Sequence, residues 1–535
     1  MPDQTQKTME RHRSFSLTLS LTALFSVTIV CANNIQVSNS TLKGTNTMDA
    51  YTMVEFDITW ENSWRTEGAP SNWDAAWVFV KYRDANTGQW NHARLHGDVA
   101  HVAPIGTVIS TGLLDPGSPF DIATNWGVGA FLYRSADGNG TFSATNVQLR
   151  WNYGENGITE ADIAEVKIFA LEMVYIPEES FSVGSGGGET NKFKDGPSNA
   201  PIAITSEAAI SIGNVLGQLW ASGAIEAATI PASFPKGYAA VYMMKHSIAQ
   251  QDYVDFLNTL SRIQQNTRTG TNLAVGVTSV TNRYVMRNNI ASLNRTGIRC
   301  DATVDANDPI TFYCDLNGNG IGGEAGDGQW IECNFLSWAD VAAYLDWSGL
   351  RPMTELEFEK ACRGPVAPVI NEYAWGNGSL RIGNYTIAQS GAIGEVVSDP
   401  ETGTTGNMLY NGAFVTPSGP GRVGLFAGGA TTRIQSGASY YGLLELSGNV
   451  WERPVTVGNA TGRAFTGVQG NGSVDATGNA DEVNWPGIDA VGAGYRGGSW
   501  NSDSGPPRVS DRIRAAFVLT TRGNVDGGRG VRTEP

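Results

Sequence analysis

The last stretch of this chain leaves its residues the least freedom. Arg496-Gly497-Gly498-Ser499-Trp500 is followed by Arg508-Val509-Ser510-Asp511-Arg512 and then by Gly527-Gly528-Arg529-Gly530-Val531-Arg532. The 65 glycines of the chain follow no repeating period, so turns and irregular loops are expected rather than a fibrous repeat. Two more blocks stand upstream: Leu350-Arg351-Pro352-Met353-Thr354-Glu355-Leu356-Glu357-Phe358-Glu359-Lys360-Ala361 and Leu446-Ser447-Gly448-Asn449-Val450-Trp451-Glu452. The first contains a helix start. The Thr354 hydroxyl can accept from an orphan backbone amide and the Glu357 side chain can reach back, before Phe358, Ala361 and Cys362 at helical spacing. Ser337 with Asp340 sets the same pattern before Val341, Ala342 and Leu345, and Ser247 with Gln250 before Tyr253, Phe256, Leu257 and Leu260. Three helices are therefore expected. Glu355, Glu357 and Glu359 read as helix-start and surface charges rather than a catalytic pair, and Cys362 as a buried thiol.

Taken in their order, these blocks resemble those of the formylglycine-generating enzyme, or sulfatase-modifying factor, family. So does the opening Met173-Val174-Tyr175-Ile176-Pro177 with Phe181-Ser182-Val183-Gly184-Ser185. The resemblance implies an α+β, loop-rich, C-type lectin-like domain over residues 171–535, with a polar insertion at about 261–335 and a second loop-rich stretch at 386–440. It implies calcium as a structural ion, held by Asn449, the Val450 carbonyl and Glu452, with Asn384 after Tyr373-Ala374-Trp375-Gly376 opening a second site. Arg508, Arg512 and Arg529 match family positions and read as guanidinium groups tying loop carbonyls and acids together.

The active enzymes of that family bind copper through two cysteines between the Arg-Gly-Gly-Ser block and the final block. Here the segment reads Asn501-Ser502-Asp503-Ser504-Gly505-Pro506-Pro507, and no cysteine stands after Cys362. Holding Cu(I) takes soft thiolates, so copper is not expected and no catalytic residue is assigned. Sulfoxide synthases that use this fold need a histidine cluster from a helical domain, and none precedes this one. No histidine follows His246, which also excludes a Ser-His-Asp arrangement in this region. Variable proteins of diversity-generating retroelements often use the same fold to bind ligands through their C-terminal stretch. By that resemblance Trp500, Asn501, Asp503, Arg514, Phe517 and Asn524 are the expected ligand-binding residues. Trp485 and Trp500, if exposed, would stack on sugars.

The first part of the chain reads differently. Lys7, Arg11, His12 and Arg13 precede an apolar run from Phe15 to Val30, and Val30-Cys31-Ala32 offers small residues for cleavage after Ala32. Residues 1–32 are thus expected to be a signal peptide, and the protein to be secreted or held at the cell surface. In residues 33–170, Val54, Phe56, Ile58 and Trp60 alternate with Glu55, Asp57 and Thr59, a half-buried strand. Ala76-Trp77-Val78-Phe79-Val80 is a fully buried one. Further strands at Trp90 to Leu95, 107–113, 128–135, 142–151 and 163–170 make an all-β sandwich the expected fold here.

A net charge of −16 argues against nucleic acid as a partner, which needs clustered Lys and Arg. Two further sites are suggested by residue type. Asp315, Asn317 and Asn319, followed by Gly320, offer oxygens at every second position for a calcium loop, although position 326 is a glycine where an acid would close it; an Asx-rich turn is the competing reading. His92, His96 and His101 form a histidine group with no cysteine beside it, and read as solvated surface residues. Of the remaining thiols, Cys300 and Cys314 flank a strand-like segment and are the first choice for a hairpin disulfide. The reading that unites these features is a secreted or cell-surface binding or scaffold protein, recognising a protein or glycan through its C-terminal surface, with a possible assembly partner for the N-terminal domain. The alternatives are a copper-dependent oxidoreductase that makes formylglycine in a sulfatase, or a structural component of an extracellular assembly.

Overall fold

The computed structural model describes residues 34–535; the expected signal peptide lies outside the described residues. The protein is mostly β-sheet with few helices. Its N-terminal part contributes β1 (Gln36–Asn46), β2 (Tyr51–Arg65), β3 (Asp74–Asp84), β4 (Trp90–His92), β5 (Thr107–Leu113), β6 (Gly127–Arg134), β7 (Gly138–Trp151) and β8 (Ile163–Ile176). β1, β2 and β7 form a three-stranded antiparallel sheet, in which Val54 faces Leu149 and Phe56 faces Val147. The alternation in β2 places Val54, Phe56, Ile58 and Trp60 in one apolar core with Val78, Val80 and Leu132 of the opposing sheet.

That opposing sheet is not confined to the N-terminal part. Its order is Arg351–Pro352, Gly530–Thr533, Val241–Met244, β8, β3, β6, β5, with β4 paired to β3, so eight strands from both halves form one antiparallel surface. β8 runs through residue 170 and pairs Tyr175 with Tyr242, while Met243 pairs with Val531. The continuous apolar run of β3 follows from this position. Ala76, Val78 and Val80 face the three-stranded sheet; Ala75, Trp77 and Phe79 face the C-terminal part. A strand covered on both faces has no reason to alternate.

The C-terminal part adds α1 (Gln250–Leu257), α2 (Arg262–Arg268), α3 (Trp338–Trp347) and α4 (Glu355–Arg363). Ser337 caps α3 and Thr354 caps α4 as expected, each with its reciprocal acid. α1 departs from expectation: Ala249 is its first flanking residue, and Asp252 accepts from the Ala249 amide at 2.8 Å. Ser247 instead donates its hydroxyl to Glu452 at 3.0 Å. α2 lies inside the segment read as an insertion, and Ser261 caps it. No described helix is long and apolar enough to cross a membrane.

All four described cysteines are free and buried. The expected hairpin exists, but Cys300 faces Phe312 and Cys314 faces Ile298. The two residues are therefore diagonal neighbours, with Cα atoms about 7–8 Å apart, too far to bridge. The histidine expectation also changes. His92 is buried, with Nε2 2.5 Å from the Val128 carbonyl, and His96 packs at a tilt against Phe120; these are packed rather than solvated rings.

Candidate functional site: buried charges beneath the C-terminal surface

Glu355, Glu357 and Glu359 are not surface charges. All three are buried, at 0, 3 and 0% exposure, and each meets a guanidinium. Arg512 Nε lies 2.7 Å from Glu355 Oε2 and Arg496 Nη1 3.2 Å from the same atom. Arg496 Nη2 continues to Glu359 at 2.8 Å, Arg363 pairs with Glu359 and Glu372, and Arg351 holds Glu357 at 2.7 Å. These arginines also donate to loop carbonyls. Arg512 reaches Asn191 O and Ala224 O, and Arg529 reaches Leu444 O at 2.7 Å. Arg512 and Arg529 thus tie loops to acids, as expected of them. The Arg512 and Arg496 charges hold the Glu355 carboxyl below the usual carboxylate range despite its burial. A carboxylate so paired is no proton donor or acceptor at neutral pH.

The Gly448–Glu452 block lies beside this network. Asn449 adopts φ 62°, a left-handed conformation that asparagine tolerates well. Its Oδ1 accepts from the Gly421 amide at 2.8 Å and its carbonyl from Trp500 N at 2.7 Å. Val450 is buried, and its side chain fills the space where a Cβ on Gly527 would stand. Glu452 Oε1 accepts from Arg529 Nε at 2.5 Å and from Ser247, while Oε2 has no donor. Two further acids join Glu452 that the motif did not point to. Glu332 is fully buried with neither carboxylate oxygen in a well-formed hydrogen bond, the Asn449 side chain being the donor that acts on it. Glu445 accepts from the Gly424 amide at 2.7 Å through Oε1 and leaves Oε2 bare. Burial, and then the charges of Glu445 and Glu452, push the Glu332 carboxyl well above its ordinary range, and burial raises Glu445 to about 7.

Four buried carboxylate oxygens without well-formed hydrogen bonds are a costly arrangement, and a hard cation that takes oxygen ligands would relieve it. Carboxylate oxygens are the donor type that calcium takes. Glu445 and Asn449 also line a small cavity of about 10 Å³, roughly the space of one water-sized body. Of the residues expected to hold the ion, Asn449 has its amide oxygen engaged by the Gly421 amide, while the neighbouring Glu332 and Glu445 carry oxygens free of a well-formed hydrogen bond. The ligand atoms of Glu332, Glu445 and Glu452 do not all lie within 4.8 Å of one another, as those of Asp346, Asp481 and Glu482 do, the one such group of three acids among the described residues.

The other expected metal residues do not gather. Asp315 is ion-paired with Arg299 and accepts from the amides of Gly318 and Gly320. Asn317 Oδ1 accepts from Asn319 N, and Asn319 Oδ1 from Ile321 N. Each oxygen thus closes its own turn, the Asx-turn arrangement, with a guanidinium where the calcium loop would have its ion. Asn384 is exposed, and the group that reaches its carbonyl is Arg381 at 3.1 Å. Cys333 and Cys362 belong to different apolar cores, and burial raises both thiols far above the range in which a thiolate forms.

On the C-terminal surface, Asn501, Asp503, Arg514 and Phe517 are exposed. Trp500 and Trp485 are not: they are 6 and 9% exposed, with their indole N–H groups donated to Asn524 O and Val468 O. Asn524 is half-buried and donates to Asn294. Sequence reasoning missed what surrounds Arg514. Its guanidinium lies 5.4 Å from the Trp451 ring and 5.3 Å from Phe517. Tyr495 packs edge-on to Trp451, and Arg453 lies 4.0 Å above the Tyr495 ring. Arg453 Nε and Nη1 are buried without partners, and the Tyr495 hydroxyl lies against Asp526.

Comparison with known proteins bears on the C-terminal part of the chain. Residues 333–532 match the model of the sulfatase-modifying factor enzyme 1-like domain. The C-terminal part of the chain therefore carries a formylglycine-generating-enzyme-like domain. A stretch of 117 residues is 32% identical to the formylglycine-generating enzyme of Thermomonospora curvata, covering 22% of this chain and 30% of that enzyme. Among solved structures, Treponema denticola variable protein 1 aligns over 69% of this chain and 96% of its own, at 11% identity and a TM-score of 0.32.

Proposed function

We propose that the protein is a secreted or cell-surface, non-catalytic binding protein that recognises a protein or glycan ligand through its C-terminal surface. One observation carries the reading: the segment from Asn501 to Pro507 has no thiol, and the cysteines nearest in sequence, Cys333 and Cys362, are buried in separate cores. Copper-dependent oxidation of a peptide cysteine would have no thiolate pair here to hold Cu(I). What the domain does offer outward is the exposed Arg514 and Phe517 over Trp451, a cationic and aromatic face of the kind that binding sites favour. The N-terminal strands read as a β-sandwich that shares its second sheet with a C-type lectin-like domain.

In this reading calcium is structural. Glu332, Glu445 and Glu452 would hold it, and it would supply charge neutralisation to a loop core. The test is metal analysis of the purified protein, combined with copper titration and oxygen-dependent turnover of a cysteine-containing peptide. Calcium without tight copper and without turnover supports the proposal. Stoichiometric Cu(I) with aldehyde formation overturns it in favour of the oxidoreductase reading.

A further inference from the structure

A second concave site lies far from the C-terminal blocks, where the N-terminal strands meet α1 and α3. It is a half-open cleft of about 220 Å³. Its walls are part aromatic, with Phe79 of β3, Phe169 of β8, and Trp330, Tyr344 and Trp347 from the C-terminal part, and part aliphatic, with Ile35, Val37 and Ile168 among them. Phe79 and Phe169 both meet the Trp347 ring edge-on, at 5.1 and 5.0 Å between centroids, so the walls are braced from both halves of the protein.

Asp252 and Asp255 of α1 enter this aromatic cleft three residues apart, on one face of the helix. Each is half-buried and each has one oxygen engaged. Asp252 Oδ2 accepts from the Ala249 amide, and Asp255 Oδ1 accepts from Gln251 at 2.8 Å. Neither has a salt-bridge partner among the described residues. Lys167 of β8 is the cation that acts on Asp255, but its ammonium lies 4.0 Å from Glu165 and over the Trp90 ring. Glu172 of β8 adds negative charge toward Asp252 and is itself bonded to Lys245. The cleft therefore combines π-faces, an apolar interior and two carboxylates in want of a counter-charge. Burial, with the Asp255 and Glu172 charges added to it, raises Asp252 to about 7, and burial alone raises Asp255 to about 6 against the opposing pull of Gln251 and Lys167. Behind the wall, Tyr344 Oη and Trp347 Nε1 have no hydrogen-bond partner.

We propose that this cleft binds a small organic cation, an amine or quaternary ammonium carried on an apolar body. Aromatic faces attract ammonium groups through their quadrupoles, and carboxylates complete the charge. Size agrees: a cavity of about 150 Å³ accommodates benzene, so this one has room for a ring with a short ammonium arm. The site needs both halves of the protein, and it is independent of the C-terminal surface and its chemistry.

The test uses two probes of one shape on the intact protein. Phenethylamine carries the ammonium, and 2-phenylethanol replaces it with a neutral hydroxyl. Calorimetry, or the fluorescence of the wall tryptophans, is expected to show one phenethylamine bound per chain and 2-phenylethanol at least about tenfold weaker. In Asp252→Asn/Asp255→Asn, where residue 252 still offers an oxygen to the Ala249 amide, the preference for the amine is expected to vanish. The wild-type comparison requires no variant to fold. Equal binding of both probes, no binding of either at about 10 mM, or a preference that survives in a folded double variant would each overturn the proposal.

Discussion

Two interiors of this protein are built on opposite principles. Between the three-stranded sheet and the shared eight-stranded sheet, the core is Val, Ile, Phe, Trp and Ala at alternate positions of long strands. Around α4, the interior is guanidinium and carboxylate: Arg351, Arg363, Arg496 and Arg512 against Glu355, Glu357, Glu359 and Glu372. The difference follows from backbone. Long strands satisfy their own N–H and C=O groups in ladders, so side chains are free to be apolar. The C-terminal loops leave carbonyls without ladder partners, and arginine brings five donors on a rigid fork to several of them at once.

The sharpest way to break this comparison is Glu355→Gln. Removing one partner of a buried charge pair costs about 3–5 kcal/mol, and Glu355 faces two guanidinium groups. Urea unfolding should show a loss of that size, and a loss below about 1 kcal/mol would mean that the network is not what holds the loops. The same charges set an acid limit. The folded protein holds Glu355 below its ordinary value, and does the same to Asp340 of α3 through a separate pair of arginines, Arg522 and Arg268. The stability they supply is thus present above the normal carboxylate range and is lost as pH falls through the depressed values. Acid should loosen the α4 region while the N-terminal core persists, which amide exchange at low pH resolves.

Calcium should act next in size, and in the C-terminal part. At about 100 times its Kd a ligand adds about 2.7 kcal/mol, so adding calcium after chelation should raise Tm by several degrees. Glu445→Gln should abolish most of that rise. A rise unchanged in that variant would place the ion elsewhere, with Asp346, Asp481 and Glu482 the alternative to test. Ile58→Val, in the apolar core, should cost about 1 kcal/mol, with no dependence on pH or calcium. The smallest effect belongs to Arg514→Ala, exposed over Trp451 and Phe517, whose stability should stay within about 0.5 kcal/mol of wild type. A larger loss would make that arginine part of the scaffold rather than of a binding face.

What could be read from sequence was what is decided locally. Ser337 and Thr354 were legible because a cap and its reciprocal acid lie within one turn. The Ser261–Gln264 pair carries the same signal for α2, but its polar surroundings concealed it. Ser247 misled because its hydroxyl is claimed by Glu452, 205 residues away. Glu355, Glu357 and Glu359 look like surface charges in sequence because nothing local shows that four arginines will meet them. Glu332 and Glu445 are illegible for the same reason: unpartnered oxygens become visible only once burial is known. The continuity of the large sheet was hidden too, since the strands Val241–Met244 and Gly530–Thr533 are four residues each and carry no alternation of their own.

That shared sheet has a mechanical consequence. Gly530–Thr533, at the end of the chain that follows the C-terminal surface, is laddered through Val241–Met244 to β8 and β3. Tension on a ligand held near Arg514 would reach the N-terminal strands as shear across antiparallel hydrogen bonds, many of which must rupture together. The two halves are thus riveted along a seam, and a pull that would stretch a linker between separate beads has nothing here to uncoil first.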